Sequence, residues 1–228
     1  MFKQKKKAVV LLSGGIDSTT CMAVAASETD EIYALSFDYG QKHSAELEFA
    51  RFNAENFGAT VHRILKLDNI FFQNSALTNK DIAVPKYSPY SAGIPATYVP
   101  ARNTVFLSYA LSWAETVRAE AIYIGVNSID YSGYPDCRPE FISAFEKMAN
   151  LAVKEAVEGR ISIKIKTPLI SMTKAEIIRK GKELGIDYSK TISCYNPSEG
   201  RACGCCDSCI IRKKGFEKSG FADETIYV

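Results

Sequence analysis

Apolar positions along this chain follow two alternating rhythms. An unbroken apolar run at 8–12 (Ala-Val-Val-Leu-Leu) predicts a short buried strand. Residues 18–28 suit a helix, and 32–37 (IYALSF) predict a second strand. Leu47, Ala50, Ala54 and Phe57 recur at helical spacing within 41–57, and Gly58 stands where that helix should stop. Residues 60–65 give a third strand. Phe106, Tyr109, Ala110, Trp113 and Val117 form one apolar stripe on a helix over 103–118. A strand at 121–126, a Gly/Pro/Asp-rich turn at 127–139 and a helix from about 140 to 157 follow. ISIKIK at 161–166 alternates, as a half-exposed strand at a sheet edge does. Thr173 with Glu176 three residues on reads as a capping box, opening a helix that Gly185 ends.

Strands alternating with helices predict an α/β fold with a parallel sheet and right-handed crossovers. One stretch breaks the rhythm: 68–101 holds Pro85, Pro89, Pro95 and Pro100. A loop of that length in a compact domain is either functional or disordered. The composition shifts once, near residue 186. The expected organisation is therefore an α/β unit over 1–185 and a small cysteine-rich segment over 186–228, packed on the same domain.

Composition narrows the function. With 46% hydrophobic and 24% charged residues among 228, the chain is ordinary globular protein. Its 28 Lys and Arg against 26 Asp and Glu leave a net charge of +2. That balance supplies no global field for gripping nucleic acid or an anionic membrane. No apolar run approaches the roughly 20 residues of a membrane span. The first run, Ala8 to Leu12, is also shorter than the roughly 7–15 residues of a secretory core. A cytoplasmic location is expected. The only histidines are His43 and His62, so chemistry built on a histidine dyad is poorly supplied.

Cysteines stand at 21, 137, 194, 203, 205, 206 and 209. In a reducing compartment this clustering reads as a metal site before it reads as disulfides. Cys194, Cys203, Cys206 and Cys209 follow C-x8-C-x2-C-x2-C, and four thiolates match a closed, structural, tetrahedral zinc site, one per chain. An iron–sulfur cluster or a redox pair are the other readings. Cys205 blurs the register, and Arg201, Arg212 and Lys213 are near in sequence to offset the charge.

The motif richest in chemistry is Ser13-Gly14-Gly15-Ile16-Asp17-Ser18-Thr19-Thr20, between the first strand and the first helix. Ligands of open α/β sheets sit beyond the strands' carboxyl ends. Gly14 and Gly15 let backbone N–H groups approach an anion, and Ser18 and Thr19 open a helix whose first amides favour phosphate. Asp17 beside phosphates implies a cation between them, and Mg²⁺ fits. The lack of a Gly-Lys-Ser/Thr ending excludes a Walker A loop.

This octapeptide resembles the pyrophosphatase loop (PP-loop) of adenine-nucleotide alpha-hydrolase-like, Rossmann-like enzymes. That resemblance implies a five-stranded parallel sheet flanked by helices and ATP cleaved between its α and β phosphates. FDYGQKHSAE at 37–46, GIPATYVPARN at 93–103, GVNSIDYSGYPDCRPEF at 125–141 and CYNPSEGRACGCCDSC at 194–209 carry it further. Together they resemble the 7-cyano-7-deazaguanine synthase family over essentially the whole chain. The resemblance implies ATP-dependent conversion of 7-carboxy-7-deazaguanine and ammonia to the nitrile through adenylated and amide intermediates. It also implies a queuosine or archaeosine precursor as product, and a homodimer. Free ammonia is the expected nitrogen source, because no glutaminase half fits beside the loop.

The resemblance implies that Leu12, Ser13, Gly14, Gly15, Ile16, Asp17, Ser18, Thr19, Thr20, Cys21 and Met22 surround ATP, although Cys21 itself reads as a buried small apolar residue. Asp17, Ser18 and Arg102 stand closest to the chemistry. Phe37, Tyr39 and Gln41 follow the second strand, where adenine and ribose should lie; packing alone would also account for Tyr39. Arg102 could face the α-phosphate or the substrate carboxylate. Asp130, Tyr134, Asp136 and Arg138 are the substrate-binding candidates: an acid can accept from a guanine-like N1–H and 2-amino group, and Tyr134 can stack. Cys137 reads as a packed thiol. Lys174 could reach phosphate or simply be solvated. Two rivals stand beside this reading: a PP-loop tRNA-modifying enzyme of the thiolase type, and a zinc-dependent assembly module holding ATP as a structural ligand.

Overall fold

A computed structural model describes residues 5–42, 45–88, 93–129, 133–198 and 200–228. Among them, β1 (Lys7–Leu11), β2 (Glu31–Asp38), β3 (Val61–Lys66), β4 (Ala121–Tyr123) and β5 (Lys164–Lys166) form one parallel sheet in the order β3-β2-β1-β4-β5. Central β1 alternates between two cores. Val9 and Leu11 enter one with Leu107, Ala110 and Phe145; Ala8, Val10 and Leu12 enter the other with Met22, Ile177 and Phe216. Both faces are thus covered by helices, which is why β1 reads as an unbroken apolar run rather than an alternating one. α3 (Arg102–Val117) and α4 (Pro139–Ala152) lie on the first face. α1 (Ile16–Glu28), α6 (Lys174–Glu183) and α7 (Asp207–Ser219) lie on the second. α2 (Ala45–Asn56) joins β2 to β3, and a single turn, α5 (Lys154–Val157), follows α4.

β5 occupies the edge its alternation predicts, with Lys164 and Lys166 exposed and Ile165 buried. The Thr173–Glu176 capping box forms in both directions. Three expectations differ. The 121–126 strand stops at Tyr123, because Ile124–Asn127 leave the sheet toward α1; Ile124 N still donates to Lys166 O at 3.0 Å. The 161–166 strand begins only at Lys164, since Ile163 N donates instead to Asn150 Oδ1 on α4 at 2.9 Å. The 140–157 helix breaks at Val153, whose extended backbone turns a fully buried side chain inward.

The described part of the Pro-rich stretch is packed: Phe72, Leu77 and Val99 enter the first core, and Lys86 bridges to Cys206. Residues past 186 build α7, which the cysteine pattern had hidden, and are set into the α/β unit. Tyr188 drives against Gly181, where an added Cβ would meet its hydroxyl at 1.8 Å, and its hydroxyl meets Thr20 Oγ1 at 2.8 Å. Arg212, fully buried, donates to Asp223 Oδ1 (3.0 Å), Thr191 Oγ1 (2.9 Å) and Tyr188 O (2.9 Å). These bonds commit Arg212 to tying the segment together, away from the charge-balancing role its position suggested.

Candidate active site

The strand order reverses at β1, with β2 on one side and β4 on the other, so a crevice opens past their carboxyl ends. The Ser13–Ser18 loop fills the floor of that crevice and braces itself. Ser13 N donates to Ser18 Oγ at 3.1 Å, the two hydroxyls lie 2.9 Å apart, and Ser18 Oγ donates to Gly15 O at 3.2 Å. Gly14 has φ +86°, and an added Cβ would lie 2.2 Å from Glu46 O. The first turn of α2 therefore rests directly on the loop. On the opposite flank an added Cβ at Gly125 would lie 2.8 Å from the Asp17 carbonyl. Both contacts require glycine, and they fix the start of α1, the helix end that favours an anion.

Asp17 already carries a cation. Lys174, buried at the start of α6, places Nζ 2.5 Å from Asp17 Oδ1. Lys174 is therefore not simply solvated, and a Mg²⁺ ion at Asp17 would share that carboxylate with it.

Above the loop lies a cavity of about 240 Å³. Leu12, Ser13, Gly15, Ile16, Asp17 and Ser18 line its floor, and Phe37, Tyr39 and Gln41 line one wall. Arg102, Asn103 and Tyr134 line another. Ala101, just before Arg102, adopts the left-handed conformation at φ 50°, a strain of about 1–3 kcal/mol that is tolerated where it aims a functional side chain. Burial works against the Arg102 charge, but Tyr39, Cys137, Asp136 and Tyr134 around it outweigh that and keep it firmly protonated. Gln41 is bound within its own loop: Nε2 donates to Phe37 O and Glu46 Oε1, both at 3.1 Å, and Oε1 accepts from Tyr39 N at 2.9 Å. Phe37 stacks on Phe106 at 3.9 Å. Burial pushes the Cys137 thiol up to about 11; it packs in the first core and also reaches the cavity surface.

Several candidate residues stand elsewhere. Gly14 lies under α2 rather than on the cavity surface. Thr19, Thr20, Cys21 and Met22 are fully buried behind the loop, Thr20 donating to Ile16 O. A strand-to-helix loop exposes only its first residues, and the helix then turns the rest into the core. Asp136 is buried away from the cavity and accepts from Asn103 N at 3.1 Å, closing the start of α3 instead of meeting a base. Arg138 is exposed at the start of α4, outside the cavity. Asp130 lies outside the described residues.

Among the cavity residues that escaped the sequence reading, Glu46 and Ser193 stand out. Glu46 lines it from the first turn of α2; burial pushes its carboxyl up to about 7, against the pull of Arg102 and the Gln41 bond. Its signal was an acid opening the helix after β2, at the same sheet edge as the loop. Ser193 lines it from the cysteine-rich segment. Its neighbour Ile192 donates N–H to Gly14 O at 3.1 Å, which no local pattern announces.

That segment carries the metal-type cluster. The Sγ atoms of Cys194, Cys203, Cys206 and Cys209 lie within 4.8 Å of one another, and three of the four residues are buried. Cys194 Sγ accepts from Cys203 N at 3.2 Å and Asn196 N at 3.3 Å, as a thiolate ligand would. Cys206 is the N-cap of α7, whose dipole favours thiolate. These residues could hold one metal ion. Cys205 is exposed and outside the set.

The sequence profile of a family described as Queuosine biosynthesis protein QueC matches residues 7–220. The chain belongs to the QueC family. A 7-cyano-7-deazaguanine synthase from Syntrophobacter fumaroxidans is 60% identical to this QueC-family chain, with 99% of the chain and 98% of the relative covered. One from Geobacter metallireducens is 61% identical over 97% and 93%. Solved structures more distant than these share the fold. A predicted tRNA methyltransferase subunit from Methanocaldococcus jannaschii aligns with TM-score 0.52 at 16% identity, covering 98% of this chain and 92% of that one. NMN synthetase from Francisella tularensis aligns with TM-score 0.52 at 15% identity, covering 96% and 79%. Among the described residues, no helix is long and apolar enough to cross a membrane.

Proposed function

We propose that this QueC-family protein is a 7-cyano-7-deazaguanine synthase acting in the cytoplasm on a free base, with ammonia as nitrogen source. The observation that carries the reading is one cavity lined jointly by the Ser13–Ser18 loop, Arg102 and Tyr134. A carboxylate is a poor electrophile, so the substrate acid is first adenylated, which neutralises it and installs a leaving group. Ammonia then gives the amide, and a second adenylation of the amide oxygen allows its loss as AMP, leaving C≡N.

The amides opening α1, with Ser13 and Ser18, hold the phosphates. Asp17, with the phosphate oxygens, would hold Mg²⁺, which supplies neutralising charge for the departing pyrophosphate. Lys174 keeps Asp17 oriented and adds a fixed positive charge behind the loop. Arg102 holds the substrate carboxylate against the α-phosphate, which is bidentate work suited to a guanidinium. Tyr134, fixed by its hydroxyl 2.7 Å from Thr97 Oγ1, presents its ring to the base. The four cysteines would hold one zinc ion structurally, since a closed four-thiolate set leaves no position for substrate. The active form is a homodimer.

The test is mass spectrometry of the base after incubation with Mg-ATP and ¹⁵N-ammonium. Nitrile bearing one labelled nitrogen is expected. Unchanged acid, or product with glutamine only, would overturn the reading.

A further inference from the structure

Two carboxylates line the cavity among the described residues, Asp17 and Glu46. Asp17 is committed to Lys174. The proposed reaction must dispose of protons from nitrogen: at amide formation, and again when the amide becomes a nitrile. With no histidine among the described residues of the cavity surface, a carboxyl group is the natural acceptor there.

The position of Glu46 is fixed from two sides. Its backbone carbonyl abuts Gly14 of the phosphate loop, and its Oε1 accepts from Gln41, whose amide is itself bonded to Phe37 O and Tyr39 N. Its carboxyl therefore shares one cavity with the phosphate loop and Arg102, between which the activated carbonyl is proposed to lie. Arg102 from α3 and Tyr39 from the turn after β2 act on it electrostatically, and among the described residues Lys42, Asp17, Tyr134 and Cys137 line the same cavity. Lys42 Nζ turns away to Ile82 O at 2.7 Å.

We infer that Glu46 is the general base that takes the nitrogen-bound protons. In the first step the ammonia lone pair forms the C–N bond. The C–O bond to AMP breaks with its electron pair leaving on the phosphate, and Glu46 accepts one proton. In the second, the amide oxygen displaces pyrophosphate from ATP. The resulting cationic imidate loses one N–H proton to Glu46. The remaining N–H proton then leaves through the same carboxylate, after it has passed the first to water, as the C–O bond to AMP breaks and C≡N forms. A carboxyl that titrates near neutrality both accepts and releases these protons.

This assignment rests on the reaction proposed above, and the experiment separates the two. The intact protein is given Mg-ATP and the 7-amide without ammonium, so that ammonium titration does not enter, and nitrile formation is followed from pH 5.5 to 8.5. The parent should show a rate rising through an inflection near neutrality. E46Q should lose about 100-fold or more together with that inflection, and E46D should recover part of both. E46Q should still catalyse acid-dependent ATP–pyrophosphate exchange, which moves no nitrogen proton. A parent that makes no nitrile from acid or amide would sink the reaction itself. A working parent matched by E46Q in rate and pH profile would overturn the role of Glu46 alone. So would loss of exchange in E46Q, which would make Glu46 a nucleotide-positioning residue.

Discussion

Lys174 and Asp17, 157 positions apart in sequence, meet at 2.5 Å and join α6 to the start of α1. Lys174 is buried, and the pair lies beneath the phosphate loop. Lys174→Met should leave Asp17 a partly buried charge without its lysine, costing about 3–5 kcal/mol by urea unfolding. Asp17→Asn with Lys174→Met should cost less than the sum of the two single changes, with a coupling of about 1 kcal/mol or more. Strict additivity would mean the pair is not an energetic unit.

Gly14→Ala tests the seat of α2 on the loop. The left-handed backbone costs about 1–2 kcal/mol, and the clash with Glu46 O adds about 1–3 kcal/mol. Calorimetry should show lower Tm, and titration with ATP should show weaker binding. Gly159→Ala serves as control. It shares the positive φ, but nothing lies within 4 Å of an added Cβ, so only the stability loss should appear.

Glu46 also makes stability depend on pH. Its folded pKa, about 7, lies above the ordinary value of 4.5, so the folded state favours the protonated form. That contribution is full below about pH 4.5, falls away as pH rises toward 7, and is gone above it. Glu46→Gln removes the dependence. Relative to the parent, the variant should be more stable at pH 8 than at pH 5 by urea unfolding. A difference that does not change with pH would refute the burial of this carboxyl.

Removal of metal should be felt at the nucleotide. A strong chelator, or Cys206→Ser, should release the Ile192–Ser193 contacts with Gly14 and Ile16. Metal content by mass spectrometry should fall from one per chain, Tm should drop, and ATP affinity should fall at least tenfold. Cys205→Ser should leave all three unchanged, because its exposed side chain lies outside the cluster.

The legible part of the molecule was the part written in local pattern. Buried strands, the capping box, the edge strand and the phosphate loop each depend on neighbours within a few residues. Their lengths did not follow, because Asn150 and Gly125 redirect β5 and β4 through contacts made far along the chain. At the site, the cavity lining by Leu12, Ser13 and Gly15 to Ser18 was readable, but Gly14 and Thr19 to Met22 lie off its surface, since a motif has no marker for where a helix turns inward. Asp136 was misread because its backbone partner at Asn103 belongs to another element. Glu46 and Ser193 were missed because only the folded chain brings them over the loop.

The hydrogen bond from Ile192 to Gly14 also sets an order of events during synthesis. The ribosome makes the phosphate loop well before Ile192, so the strut that completes it is added long after the loop itself. A nascent chain halted before residue 192 would carry the signature octapeptide without the support that shapes it, so nucleotide capture waits for the segment around Ile192.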